Sequence, residues 1–226
     1  ATCLRSLLAL GGPRLGRFTL VDSGSGDGGA ERLAAAFPTV EVLPLAANRG
    51  FAHAANRGAA AGREPLLLLL NPDLELGPGA VDALAALLDR RPDAAGTVPL
   101  LEGPEGSSQH RWQLRRLPGA LRLASGRGGA AAFASAPREV APVEQPAAAA
   151  WLVRRRVWEA LGGLDEGFTP AWWEDVDFCA RLRDRLRGPD APAGEGFLVE
   201  PSAHMAHRGG SSVAALGDAA FLAAYH

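Results

Sequence analysis

Apolar positions along this chain keep switching between helical spacing and strand spacing. Thr2-Cys3-Leu4-Arg5-Ser6-Leu7-Leu8-Ala9-Leu10 reads as a helix. Phe18-Thr19-Leu20-Val21-Asp22 reads as a short strand that ends in an acid, and Ser23 to Gly29 as a Gly/Ser/Asp loop. Ala30 to Phe37 returns to helical spacing, with Leu33 and Phe37 on one face. Val40-Glu41-Val42-Leu43 alternates like a strand, and the Ala-rich stretch Phe51 to Ala61 predicts a helix. Leu66 to Leu70 is wholly apolar, as expected of a strand covered on both faces of a parallel sheet. Pro78 opens a further helix whose stripe is Val81, Leu84, Ala85 and Leu88.

The pattern then weakens. Glu102 to Pro146 is rich in Gly, Pro, Ala and Arg, which predicts an irregular, partly mobile insertion. Order resumes at Trp151-Leu152-Val153. A helix is expected over Val176 to Arg187, with Phe178, Leu182 and Leu186 on one face, and a strand at Phe197-Leu198-Val199. Phe221 to His226 reads as a helix cut short. Strands alternating with helices predict an α/β fold, a Rossmann-like, mostly parallel central sheet flanked by helices. Ligands of such sheets bind at the carboxyl ends of the strands, where both Asp22 and Asp73 fall.

Composition narrows the picture. The chain has 226 residues, 47% hydrophobic and 21% charged, which suits one globular domain over 1–226. The net charge of −2 leaves no basic footprint for nucleic acid. All 23 basic residues are arginine, a bias that points to a GC-rich genome rather than to a function. Cys3 and Cys179 lack metal-ligand spacing and suggest a reduced, cytoplasmic protein. Apolar runs are far short of a membrane span, and no signal peptide is visible.

Candidate chemistry centres on Trp172-Trp173-Glu174-Asp175-Val176-Asp177. Neighbouring acids and burial raise a carboxyl's pKa, which can poise Glu174 or Asp175 as a general base for a sugar hydroxyl. Trp172 and Trp173 offer stacking surface for a sugar ring. The alternative is a helix N-terminus stabilised by acids in its first turn, which accounts best for Asp177. Asp73, closing Asn71-Pro72-Asp73, suits a divalent ion bridging a diphosphate, or else caps a turn. His204 and His207 precede Arg208-Gly209-Gly210-Ser211-Ser212; either can ligate a metal or be satisfied by hydrogen bonds. Asp22-Ser23-Gly24-Ser25-Gly26-Asp27-Gly28 can receive the ribose and base of a nucleotide, but it is neither a dinucleotide fingerprint nor a P-loop.

Taken in order, these segments resemble the family 2 glycosyltransferases of the GT-A fold, especially their rhamnosyltransferase-like branch. Val21 to Gly28 looks like the family's nucleotide loop, with Ser23 where Asn is common. Asn48-Arg49-Gly50-Phe51-Ala52-His53-Ala54-Ala55-Asn56 and Leu68-Leu69-Leu70-Asn71-Pro72-Asp73 resemble its next two motifs. Leu152-Val153-Arg154-Arg155 with Leu161-Gly162-Gly163-Leu164-Asp165-Glu166, and then Trp173 to Asp177, resemble its acceptor and catalytic segments. The resemblance implies inverting transfer from a UDP- or dTDP-sugar to a glycan, lipid-linked sugar or natural product. It implies Asp22, Ser23, Asn48 and Asn56 as donor contacts, and Asp73 with His207 as ligands of Mg²⁺ or Mn²⁺. It implies Asp175 as base, Glu174 as its partner, and Trp172, Trp173 and Asp165 at the acceptor. Residues 1–100 become the nucleotide-sugar half, 101–150 the insertion and 151–226 the acceptor and catalytic half. The expected setting is the cytoplasm, at the inner face of the membrane where the acceptor is lipid-linked.

Family members carry a strand ahead of the helix that here starts near Thr2. It is absent from this sequence, which is expected to weaken donor binding and folding. That departure motivates the main alternative, an inactive or regulatory sugar-nucleotide-binding protein of the same fold. A nucleotidyltransferase is a third reading, disfavoured because no basic Gly-rich loop is available to grip a triphosphate.

Overall fold

The computed structural model describes residues 2–10, 12–103, 105–119, 129–187 and 196–208. The first helix α1 (Thr2–Leu10) leads to strand β1 (Thr19–Asp22), α2 (Gly29–Ala36), β2 (Glu41–Pro44) and α3 (Phe51–Ala61). Then come β3 (Leu66–Leu70), β4 (Leu74–Leu76), α4 (Ala80–Arg90) and β5 (Gly96–Glu102). The stretch expected to be irregular holds short pieces: α5 (His110–Gln113), β6 (Leu114–Arg115), β7 (Ala141–Val143) and β8 (Gln145–Pro146). The chain continues through β9 (Ala150–Arg154), α6 (Arg155–Leu161), α7 (Glu174–Arg187) and β10 (Phe197–His207). The expected helix at Phe221 to His226 lies outside the described residues.

The central sheet has the order β3-β9-β5-β10-β4, and β7 also pairs with β10. Strand β9 runs antiparallel to both β3 and β5, and β5 is parallel to β10. So β3, β5 and β10 share one direction, with β9 inserted against it. Strands β1 and β2 pair parallel with each other in a separate two-stranded sheet. The mixed α/β architecture is the expected one.

Alternation along the strands divides the core between two faces. Leu66, Leu68 and Leu70 pack with Leu152, Leu198 and helix α4 on one side. Leu67 and Leu69 pack with Trp151, Val153, Phe197 and Val199 on the other, beneath Phe178 and Leu182 of α7 and Ala52 and Ala59 of α3. This is why the five-leucine run contains no polar position. Trp151, Phe178 and Phe197 form the aromatic centre of the second face, with ring centroids 5.4 and 4.7 Å from Trp151. The end of α4 is closed by Arg154, which donates to Leu88 O (2.7 Å) and Ala94 O (2.9 Å). Cations belong at that pole of a helix.

The late strand is much longer than the three residues expected. Its register against β5 shifts between Val199 and His204, where Pro201 has no N–H to give the ladder. Beyond the bulge, period two turns Met205 and His207 inward and leaves His204 and Ala206 outward. No helix among the described residues is long and apolar enough to cross a membrane.

Candidate active site

Asp73 stands in the tight connection between β3 and β4, held by backbone on three sides. Asn71 N–H donates to Ala149 O (2.9 Å), Leu74 N–H to Asn71 O (3.3 Å), and Arg208 N–H to Asp73 O (3.2 Å). The last bond ties the turn to the end of β10. There His207 turns its ring inward, with Nε2 3.5 Å from Asp73 Oδ1. The outward His204 pairs instead with Glu102, at 2.8 Å. Burial lowers the pKa of His207 against an opposing effect of Asp73, which favours the neutral ring. Gln109 reaches the same ring: its Oε1 lies 2.8 Å from Nδ1, and its Nε2 donates to His207 O at 3.0 Å. The indole of Trp112 stacks on the imidazole at 5.2 Å.

Glu174 and Asp175 open α7. Asp175 accepts from its neighbour Val176 N–H (2.8 Å) and from Gln145 Nε2 (3.1 Å), and also interacts with the backbone of Ala148. Burial raises its pKa above the ordinary carboxylate range, with the helix-start N–H groups working in the other direction. Glu174 is more deeply buried, and Oε2 has no hydrogen-bond partner among the described residues. Burial, then the charge of Asp175, pushes its pKa from 4.5 up to about 7. Asp177 plays the structural part expected of it. It holds Arg181 at 2.6 Å, and Arg181 donates to Leu161 O and Gly163 O. Segment 147–150 connects the two acid sites, since Ala149 O receives the Asp73 turn and Ala148 meets Asp175.

The two loops expected to contact a donor lie close together. Asp22, at the end of β1, accepts from Ser25 N–H (3.2 Å) and from its hydroxyl. A Cβ on Gly24 of the Ser23–Gly29 loop would stand 3.1 Å from Ala47 Cα, so this loop touches the one that carries Asn48. Asn48 accepts from Gly50 N–H (3.0 Å). Gly50 has φ +93°, and a Cβ there would come within 2.7 Å of Pro170 O, so both the backbone conformation and the close approach need glycine. The Asn48 segment thus abuts the loop before α7, where Thr169 donates to Arg49 O. In that loop Trp172 and Trp173 both adopt positive φ (76° and 74°), a conformation that bulky side chains occupy only under tertiary constraint.

Two expected contacts are engaged elsewhere. Asn56 donates to Leu164 O (2.8 Å) and Glu166 Oε1 (3.1 Å) and accepts from Leu164 N–H (3.0 Å), so its carboxamide ties α3 to the loop after α6. His53 supports the same loop through Glu166 at 2.7 Å. Asp165 is exposed and accepts from Gly167 N–H. The sequence reading passed over Gln109, Trp112 and Gln145, which lie in the stretch it took for an irregular insertion. The signal available was that all three glutamines of the sequence, Gln109, Gln113 and Gln145, fall in that stretch.

Among the described residues no group of three or more His, Cys, Asp and Glu side chains forms a closed metal cage. A carboxylate facing an imidazole fits a different type of site, where a hard divalent cation keeps most positions for phosphate oxygens and water.

The fold and these residues define an α/β protein with acids at strand and helix ends. Residues 1–136 match the family described as "Glycosyl transferase family 2". The chain is 33% identical, over 92% of its length and 71% of the relative's, to N-acetylglucosaminyl-diphospho-decaprenol L-rhamnosyltransferase of Mycobacterium tuberculosis. It therefore belongs to glycosyltransferase family 2, as a glycosyltransferase. Two solved structures share the GT-A fold at low identity. GalNAc-T7 with UDP, GalNAc and Mn²⁺ superposes with a TM-score of 0.68 at 14% identity, over 91% of this chain and 40% of that one. S. aureus TarS 1–349 gives 0.63 at 15%, over 92% and 56%.

Proposed function

We propose that this chain catalyses inverting, metal-dependent transfer of a sugar from a UDP- or dTDP-sugar to a hydroxyl of a lipid-linked sugar. L-Rhamnose is the sugar to test first, by analogy with the relative named above. One observation carries the reading. The turn that carries Asp73 bonds Ala149 O while Asp175 meets the backbone of Ala148, so the Asp73–His207 pair and the base candidate are anchored to adjacent residues of one segment.

Asp73 and His207 hold Mg²⁺ or Mn²⁺, which when bound offsets charge on the departing diphosphate. Asp22, Ser23 and Asn48 contact the nucleoside, while Asn56 serves them indirectly by fixing the loop after α6. Asp175 accepts the proton of the acceptor hydroxyl as its oxygen bonds to the anomeric carbon. The bond from that carbon to the diphosphate breaks on the opposite face, and the nucleoside diphosphate leaves. Glu174, whose pKa is raised to about 7, is about half protonated at that pH and so lessens the negative charge beside Asp175. Trp172, Trp173 and Asp165 line the acceptor side. Work at the membrane surface suits a lipid-linked acceptor.

The test is transfer from dTDP- or UDP-linked L-rhamnose to an N-acetylglucosaminyl-diphospho-polyprenol analogue, followed by nucleoside diphosphate release. The reading expects release that chelation stops and that Asp175→Asn slows by orders of magnitude. Binding of donor without release in any combination overturns it in favour of a non-catalytic sugar-nucleotide-binding protein.

A further inference from the structure

Gln109 docks the start of α5 on β5 through its own N–H, which donates to Leu101 O at 2.9 Å. Its side chain then meets His207 at two points, 3.0 Å from the backbone carbonyl and 2.8 Å from ring Nδ1. These two contacts determine each other's polarity. A carbonyl oxygen only accepts, so the amide end facing it is the NH₂ end. The amide oxygen then faces Nδ1, and it too only accepts. Nδ1 therefore carries the proton, and Nε2 of the neutral ring is left with its lone pair. That lone pair is aimed at Asp73 Oδ1, 3.5 Å away. In the neutral ring these two acceptors repel, and a cation between them, whether a proton on Nε2 or a metal ion, relieves the repulsion. Trp112, three residues further along, lies nearly parallel to the imidazole (15°) and restrains its rotation.

We propose that Gln109, assisted by Trp112, is the positioning residue that sets the tautomer of His207 and presents Nε2 to the divalent cation of the donor diphosphate. This rests on the metal-dependent reading above and names the device behind it. It is the arrangement by which ligating histidines are generally oriented, with the second ring nitrogen donating to a fixed acceptor.

Long-range ¹H–¹⁵N correlation of the His207 ring in metal-free protein reads the tautomer directly. The expected result is protonation at Nδ1 in the wild type and a shift toward Nε2 protonation in Gln109→Leu. Mn²⁺ affinity in the presence of UDP or dTDP, read by electron paramagnetic resonance of free Mn²⁺, should fall roughly 10–100-fold in Gln109→Leu. Gln109→Glu keeps an acceptor at Nδ1 and should retain the tautomer and most of the affinity. An Nε2-protonated ring in the wild type overturns the proposal, and this reading holds even where Gln109→Leu does not fold. So does unchanged Mn²⁺ binding in Gln109→Leu. Wild-type protein that binds no Mn²⁺ with either nucleotide sinks the metal-dependent reading itself.

Discussion

Glu174 and Asp175 are adjacent and both acidic, yet they meet different surroundings. Asp175 is hydrogen-bonded by Gln145 and Val176, whereas Glu174 keeps one oxygen without a hydrogen-bond partner among the described residues. Asp175 must be ionised to act as base, so kcat/KM should rise with pH as it loses its proton. Burial places that acidic limb above the ordinary aspartate range. Asp175→Asn should lower kcat by roughly 10²–10⁴-fold while leaving nucleotide affinity intact, measured by turnover alongside calorimetric titration. Glu174 carries a consequence for stability. Its pKa is about 7 folded against 4.5 unfolded, so the folded state holds the proton more tightly. Stability from this group is complete below pH 4.5 and is lost as pH rises through about 7. The loss amounts to about 3 kcal/mol at most, from about 1.4 kcal/mol per unit. Glu174→Gln should flatten that slope, seen as a smaller drop in Tm between pH 5 and pH 8 than the wild type shows.

Among elements, α3 and the loop after α6 behave as one unit. Asn56 and His53 project from α3 on the same side and hold Leu164 and Glu166. Gly163 lies so close that a Cβ there would come within 2.3 Å of Asn56 Oδ1. Asn56→Ala leaves the Leu164 amide and carbonyl without their partners in a part-buried position. It should cost about 1–3 kcal/mol in urea unfolding and raise the acceptor KM more than the donor KM. An unchanged midpoint would mean that the loop is held by other contacts. The spacing of Asn48 to Asn56 was legible as a motif, but its direction was not. A helix with apolar stripes has several polar flanks, and only packing decides which neighbour each one meets.

At the scale of the molecule, the loops proposed to hold the nucleotide stand on the small β1–β2 sheet, and Asp73, Glu174 and Asp175 on the central sheet and α7. Ligand binding across them should stabilise the fold as a whole. UDP or dTDP at about 100 times its Kd should add about 2.7 kcal/mol, on the order of 5–10 °C in Tm for a domain of this size. The shift should require Mn²⁺ or Mg²⁺ and vanish with chelator, as read in thermal melts with UDP and with dTDP, each with and without metal. A metal-independent shift would separate nucleotide recognition from Asp73 and His207.

Local pattern alone determined the order of elements through α4 apart from the three-residue strand β4, because strand and helix periods are properties of neighbouring residues. Helices at Thr2–Leu10 and Phe51–Ala61 and the strand Leu66–Leu70 follow from it directly. So do the acids at Asp22, Asp73, Glu174 and Asp175, since carboxylates at strand and helix ends are visible as exceptions to an apolar pattern. The stretch from Glu102 to Pro146 was opaque for the converse reason. Its elements are two to four residues long, too short for any period to emerge, and they are held by side-chain bonds to distant strands. Tertiary structure alone decided that His207 turns inward while His204 does not, because the bulge at Pro201 sets the phase of β10. It alone brought Gln109 across 98 residues to His207 and Gln145 across 30 to Asp175. A hydrogen bond between residues so far apart leaves no mark on the local pattern of either, and only the folded chain brings the two together.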